Sequence, residues 1–178
     1  MVTSFSYSAF FKELQSTLVK SNAELRKKWA STIVEKDIDL KKLSELLKAE
    51  RKTAIRFLWF LTEIGMMNPD KLFEALPFLL TRCDKLDPAY KQSFASYWLI
   101  AGIPKEQEAR AIDLCFGWLV SANTNVTIKS RAIWVLLKLA KKYPELKNEL
   151  KLCIKDQMNK YSKDFEKRAV KVLKQLED

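Results

Sequence analysis

Apolar helical positions recur along this chain at a spacing of 39 residues. Ala54, Ser93 and Ala132 are separated by that interval, and Ala169 follows 37 residues later. The neighbouring columns keep their chemistry. Ile55, Phe94, Ile133 and Val170 share one. Leu58, Tyr97, Leu136 and Leu173 share a second, and Leu61, Ile100, Leu139 and Leu176 a third. A period between about 20 and 50 residues marks a repeat architecture, in which one supersecondary unit cannot bury its apolar face alone and neighbours must stack. The units are helical. Only three glycines occur in 178 residues, which disfavours turn-rich folds, and no run alternates with the period of a half-buried strand.

The chain divides into helices by its capping residues. Phe10, Phe11, Leu14 and Leu18 predict a helix from about Ser8 to Lys20. Asn22 is placed to cap a second, with Leu25, Trp29, Ile33 and Val34 inward, and Asp39 a short third, with Leu40, Leu43, Leu46 and Leu47 inward. Residues 1–50 fall outside the repeat register and read as an atypical terminal cap. From Arg51 the pattern is regular. A first helix runs to about Gly65, with Ala54, Ile55, Leu58, Leu61 and Ile64 inward. Asn68-Pro69 then supplies a cap and a proline at the first helical position, where its missing N–H costs nothing. The next helix carries Leu72, Leu76, Leu79 and Leu80, and Pro77 inside it predicts a kink or a break. Asp87-Pro88 starts the following unit, with Phe94, Tyr97, Trp98 and Ile100 inward. Pro104 opens a helix facing the core with Ile112, Phe116, Leu119 and Val120. After the loop Ser121–Thr127, helices are expected from about Val126 to Lys142, from Pro144 with Leu146, Leu150 and Ile154 inward, and over Lys163–Leu176.

Two helices per unit, a proline opening the second and a unit near 39 residues resemble the HEAT repeat across residues 51–178, most closely in RAIWVLLKLAKKYPELKNEL. The resemblance implies one domain over residues 1–178: an all-α, right-handed α–α superhelix of about three and a half repeats behind the 1–50 cap. It also implies that the second helices line a concave surface, where Lys71, Glu74, Lys105, Arg110, Lys147, Lys151 and Lys155 would face a ligand.

Catalytic chemistry has little to draw on. There is no histidine, which removes His-dependent triads and zinc sites of the HExxH type, and no glycine-rich phosphate loop occurs. Cys83, Cys115 and Cys153 show no metal-ligand spacing and read as buried free thiols of a reduced, cytoplasmic protein. No cofactor or metal is expected. Glu63 and Asp113 lie in apolar surroundings, and either would gain a raised pKa if buried in a pocket. The expectation for both is water or a basic neighbour. Trp59 and Trp98 share a column with Leu137, which predicts core packing. Trp134 lies in a mixed column beside Lys129, Arg131 and Lys138, where a partly exposed indole could grip a partner.

The net charge is +10, and residues 125–178 carry 14 Lys/Arg against 7 Asp/Glu. No apolar stretch is long enough to span a bilayer. The expected function is a non-enzymatic scaffold that binds a protein through its concave surface, with Lys71, Arg110, Lys147, Lys151, Lys155 and Trp134 as contact candidates. Nucleic-acid binding through a basic face is the alternative. Its catalytic form resembles DNA alkylation-repair glycosylases and would place Asp113, Trp118 and Arg110 together. Convergence of the C-terminal cations on one face favours nucleic acid, and their dispersal favours solvation.

Overall fold

A computed structural model describes residues 5–177 as ten α-helices joined by short turns, with no strand among the described residues. Two compact units form, Met1–Lys91 and Gln92–Asp178.

The first unit holds α1 (Tyr7–Thr17), α2 (Ala23–Glu35), α3 (Leu40–Leu43), α4 (Arg51–Met67) and α5 (Pro69–Cys83). Side-chain caps set four of its five helix starts. Ser6 accepts from the Ala9 amide, Asn22 from Leu25, Asp39 from Lys41 and Asn68 from Lys71. The region read as an irregular cap builds much of this core, with Leu14, Leu18, Trp29, Ile33, Leu40, Leu43, Leu46 and Leu47 all buried. Helix α4 packs on α2 and α5, and Trp29 meets Phe60 edge-on at 6.3 Å. Gly65 lets Leu72 approach, so that a Cβ there would lie 2.3 Å from Leu72 Cδ2. Pro77 neither breaks nor ends α5, which runs unbroken from Pro69 to Cys83. Leu72, Leu76, Leu79 and Leu80 are buried on both sides of it, and their packing offsets the roughly 3 kcal/mol that an internal proline costs.

The second unit holds α6 (Phe94–Ala101), α7 (Glu108–Val120), α8 (Val126–Lys142), α9 (Leu146–Gln157) and α10 (Lys163–Gln175). Helix α8 is its axis and packs on the other four. Helix α6 is short. Residues Pro88–Ser93 form a 3-10 turn before it, and Gly102 ends it with φ 99°, a conformation that favours glycine. Trp98 is fully buried, stacked on Trp118 at 6.3 Å, and its Nε1 donates to Gln107 Oε1 at 2.8 Å. Pro104 precedes a 3-10 turn, Lys105–Gln107, and α7 begins only at Glu108. Its inward residues are Ala111, Cys115, Trp118 and Leu119. Ile112 and Phe116 are half-buried and Val120 is exposed, one position out of the expected register. Apolar residues fill α7 so densely that sequence pattern alone leaves its rotation open.

Lys129 is the largest departure from expectation. It is fully buried on α8, and its Nζ donates to the carbonyls of Leu119 and Ser121 at 2.6 Å and of Trp118 at 3.2 Å. Those carbonyls end α7, where helical groups lack intrahelical donors and the macrodipole is negative. The ammonium also sits 4.9 Å from the centre of the Tyr161 ring.

Candidate binding surfaces

The six residues expected at a contact surface do not form one cluster. Lys71 is held in the first unit, its side chain only 11 % exposed, by a 2.6 Å ion pair with Asp37. Asp37 is correspondingly held below the usual carboxylate range by that hydrogen bond. Arg110 is half-buried on α7. Lys147, Lys151 and Lys155 follow at four-residue intervals along one stripe of α9. Trp134 stands on the outer face of α8, half-buried.

Neither of the two carboxylates in apolar sequence is buried. Glu63 pairs with Arg26 at 2.6 Å and joins α4 to α2. Asp113 is exposed on α7, whereas Trp118 faces the core, so the trio Asp113, Trp118 and Arg110 does not converge. A different carboxylate is enclosed. Glu108 accepts from Lys142 Nζ at 2.6 Å and from the Tyr143 hydroxyl, tying the start of α7 to the end of α8. These two donors hold its carboxyl below the usual range, and Glu108 in turn raises the Lys142 ammonium and the Tyr143 phenol. Both donors reach the carboxylate from the end of α8, so the cluster fastens that end to the start of α7. Burial pushes the Cys83 thiol up to about 11 and the Cys115 thiol higher still, which removes both as nucleophiles at neutral pH. Among the described residues no group of three or more Cys, Asp or Glu is arranged to hold a metal, and no helix is long and apolar enough to cross a membrane.

Two surfaces stand out. The first is the outer face of α4. Trp59, expected in the core, is 57 % exposed, and Met66, one heptad on, is 72 % exposed. Met67 beside it is also exposed, and the Arg56 guanidinium lies 5.2 Å from the centre of the Trp59 ring. Helical geometry puts Arg56, Trp59 and Met66 on one stripe.

The second surface is built by α8 and α10. These helices run parallel: Thr127 and Arg131 meet Ser162 and Asp164 at one end, and Lys141 donates to Gln175 at 3.1 Å at the other. Their outer faces carry Arg131, Trp134, Lys138 and Lys141 from α8, and Lys163, Lys167, Lys171 and Lys174 from α10. Trp134 opens onto a groove of about 710 Å³ whose other walls are α10 side chains, Lys163 to Lys171, with exposed Val170 among them. Helix α8 contains no acidic residue, and α10 contributes Asp164, which pairs with Arg168 at 3.1 Å, and Glu166. Seven of the fourteen cations of residues 125–178 thus lie on this face, while Lys129 is buried, Lys142 pairs with Glu108, and Lys147, Lys151 and Lys155 stand on α9.

Helices α4 and α8 have the same length, 17 residues, and begin 75 residues apart. At that offset Arg56-x-x-Trp59 falls on Arg131-x-x-Trp134, so exposed Trp59 and half-buried Trp134 hold the same helical position. That recurrence was the available signal for Trp59. The 39-residue columns set Trp59 against Trp98 and Leu137 instead, and so hid it.

A family model described as a HEAT repeat domain matches residues 10–176. The match takes in α2, α3 and nearly all of α1, which the residue columns had left outside the repeats. No curated protein and no solved structure matches the chain.

Proposed function

The chain belongs to the HEAT-repeat family, and from that premise we propose that it is a binding scaffold without catalytic activity that docks a protein partner on the outer face of α4. The exposure of Trp59 and Met66 on one stripe carries this reading. Phe5, Phe73 and Phe78 of the same unit are also partly exposed, but Met66 and Trp59 are the most exposed of its large apolar residues, and they lie beside an arginine. Tryptophan, methionine and arginine are enriched where proteins meet, and tryptophan and arginine dominate the energetics of such contacts. Methionine adapts its shape to a partner at little strain. The interior supports a scaffold too. Its enclosed polar groups are bonded within the protein: Glu108 to Lys142 and Tyr143, Gln107 to Trp98, and Lys129 to three backbone carbonyls.

A photo-crosslinking amino acid placed at position 59 tests the proposal. In cells that express the chain, irradiation is expected to yield a discrete protein adduct that Met66→Glu abolishes. Adducts no different from those formed at exposed Lys42, on the short helix α3, would sink it.

A further inference from the structure

We propose that the paired outer faces of α8 and α10 bind single-stranded nucleic acid, with Trp134 stacking on a base and the flanking lysines holding the phosphates. Three observations converge on this face, all independent of the α4 surface. The first is charge. Arg131, Lys138 and Lys141 line α8 on either side of Trp134, while Lys163, Lys167, Lys171 and Lys174 line α10 beside it. Only Asp164 and Glu166 oppose them, and Asp164 is already engaged by Arg168.

The second observation is regularity. Lys163, Lys167 and Lys171 repeat every four residues and Lys174 follows three later, so they stand in a row about 16 Å long at 1.5 Å per residue. A row of exposed ammonium groups on a rigid helix presents evenly spaced charge, as a phosphate backbone does. An acidic protein segment would have to supply carboxylates at matching intervals to use all of it. Bulk solvation of a helix needs no such asymmetry: exposed helical faces ordinarily mix both signs at four-residue spacing, and α8 carries no acid to offset its own cations.

The third is Trp134 itself. It is half-buried and opens on a groove of about 710 Å³, lined on α10 by Lys163, Lys167, Lys171, Arg168 and Val170 together with Asp164 and Glu166. An aromatic platform beside a cationic track is the arrangement that holds unpaired bases, because every base has a π-face to stack. A duplex turns those faces inward and offers the indole nothing, so the position of Trp134 selects the single strand.

The test uses the full chain and a fluorescein-labelled mixed-sequence 20-nucleotide DNA strand, followed by anisotropy. Binding is expected at 50 mM salt. If about four phosphates are neutralised, affinity should fall roughly 50-fold between 50 and 200 mM salt. Trp134→Ala should weaken the single strand about tenfold and leave the salt slope unchanged. Lys167→Gln with Lys171→Gln should flatten the slope instead. All three side chains sit on outer faces, so the variants are expected to keep the parent's circular dichroism spectrum, which is measured alongside. The proposal is overturned by no binding at 50 mM salt, by equal affinity for the matching duplex, or by indifference to Trp134→Ala. Displacement by poly-glutamate as effective as by unlabelled strand would assign the face to an acidic protein and overturn it as well. None of these outcomes bears on crosslinking at position 59, so the two readings fail separately.

Discussion

The Lys129 ammonium meets the Leu119 carbonyl at 2.6 Å inside the second unit, and the same group holds the carbonyls of Trp118 and Ser121. A charge that reads in sequence as part of a basic surface is thus a cap for the end of α7. Lys129→Met keeps the aliphatic volume but strips three acceptors of their donor. Buried acceptors left without partners cost about 1–3 kcal/mol each, less where water enters. The variant is expected to lose about 3 kcal/mol in guanidinium denaturation, and the amides in the last turn of α7 should exchange faster. An unchanged midpoint would mean that the carbonyls find other donors.

Glycine to alanine is expected to have opposite signs at two helical sites. At Gly65 the new methyl group meets the buried Leu72 side chain, and the overpacking should cost about 1–2 kcal/mol despite the better helix propensity. At Gly117 a Cβ meets nothing within 4 Å, and Gly117→Ala should stabilise by about 0.5–1 kcal/mol. Thermal melts of the two single variants decide the matter.

The Glu108 cluster predicts a pH dependence with edges on both sides. Glu108 is depressed in the folded state, so its contribution is present above the unfolded carboxyl value, near 4.3, and is lost as pH falls through the lower folded value. Lys142 and Tyr143 are raised, so theirs is present below their unfolded values, about 10, and is lost as pH rises through the folded ones. The stability difference between the parent chain and Glu108→Gln should be flat from about pH 5.5 to 9 and shrink on the acid side. A difference that persists unchanged at pH 3 would contradict the assignment.

Thiol reactivity should order the three cysteines. Cys153 is half-buried and its thiol is raised by burial and by Glu149 and Asp156, but Cys83 and Cys115 are fully enclosed. Iodoacetamide at pH 8 is expected to label Cys153 first, with Cys83 and Cys115 reacting only as the chain unfolds. Peptide mapping of a singly alkylated sample reads the order directly.

Much of the helical layout was legible because its signals are local. Asn22, Asp39 and Asn68 cap where their side chains can reach an amide two or three residues on, and Pro69 marks its helix start without ambiguity. What failed was rotation about the helix axis. In α7 the sequence EARAIDLCFGWLV is apolar nearly all round, so Ile112, Phe116 and Val120 serve as well as Ala111, Cys115 and Leu119 until neighbours choose. Alignment failed for a related reason. Moving α8 by three residues against α4 shifts it by almost one helical turn, so apolar columns still match apolar columns while Trp59 changes partner from Trp134 to Leu137. Lys129 was illegible for want of any local mark, since only the end of α7 explains it.

The shared length of α4 and α8 has a practical consequence for protein engineering. The two helices bury most of the same positions, and Trp59 and Met66 on one match Trp134 and Lys141 on the other, whereas Glu63, matched to Lys138, is held in an ion pair with Arg26. Exchanging Met66 for lysine would therefore carry part of the α8 surface onto α4 without touching a buried position or the Arg26–Glu63 pair.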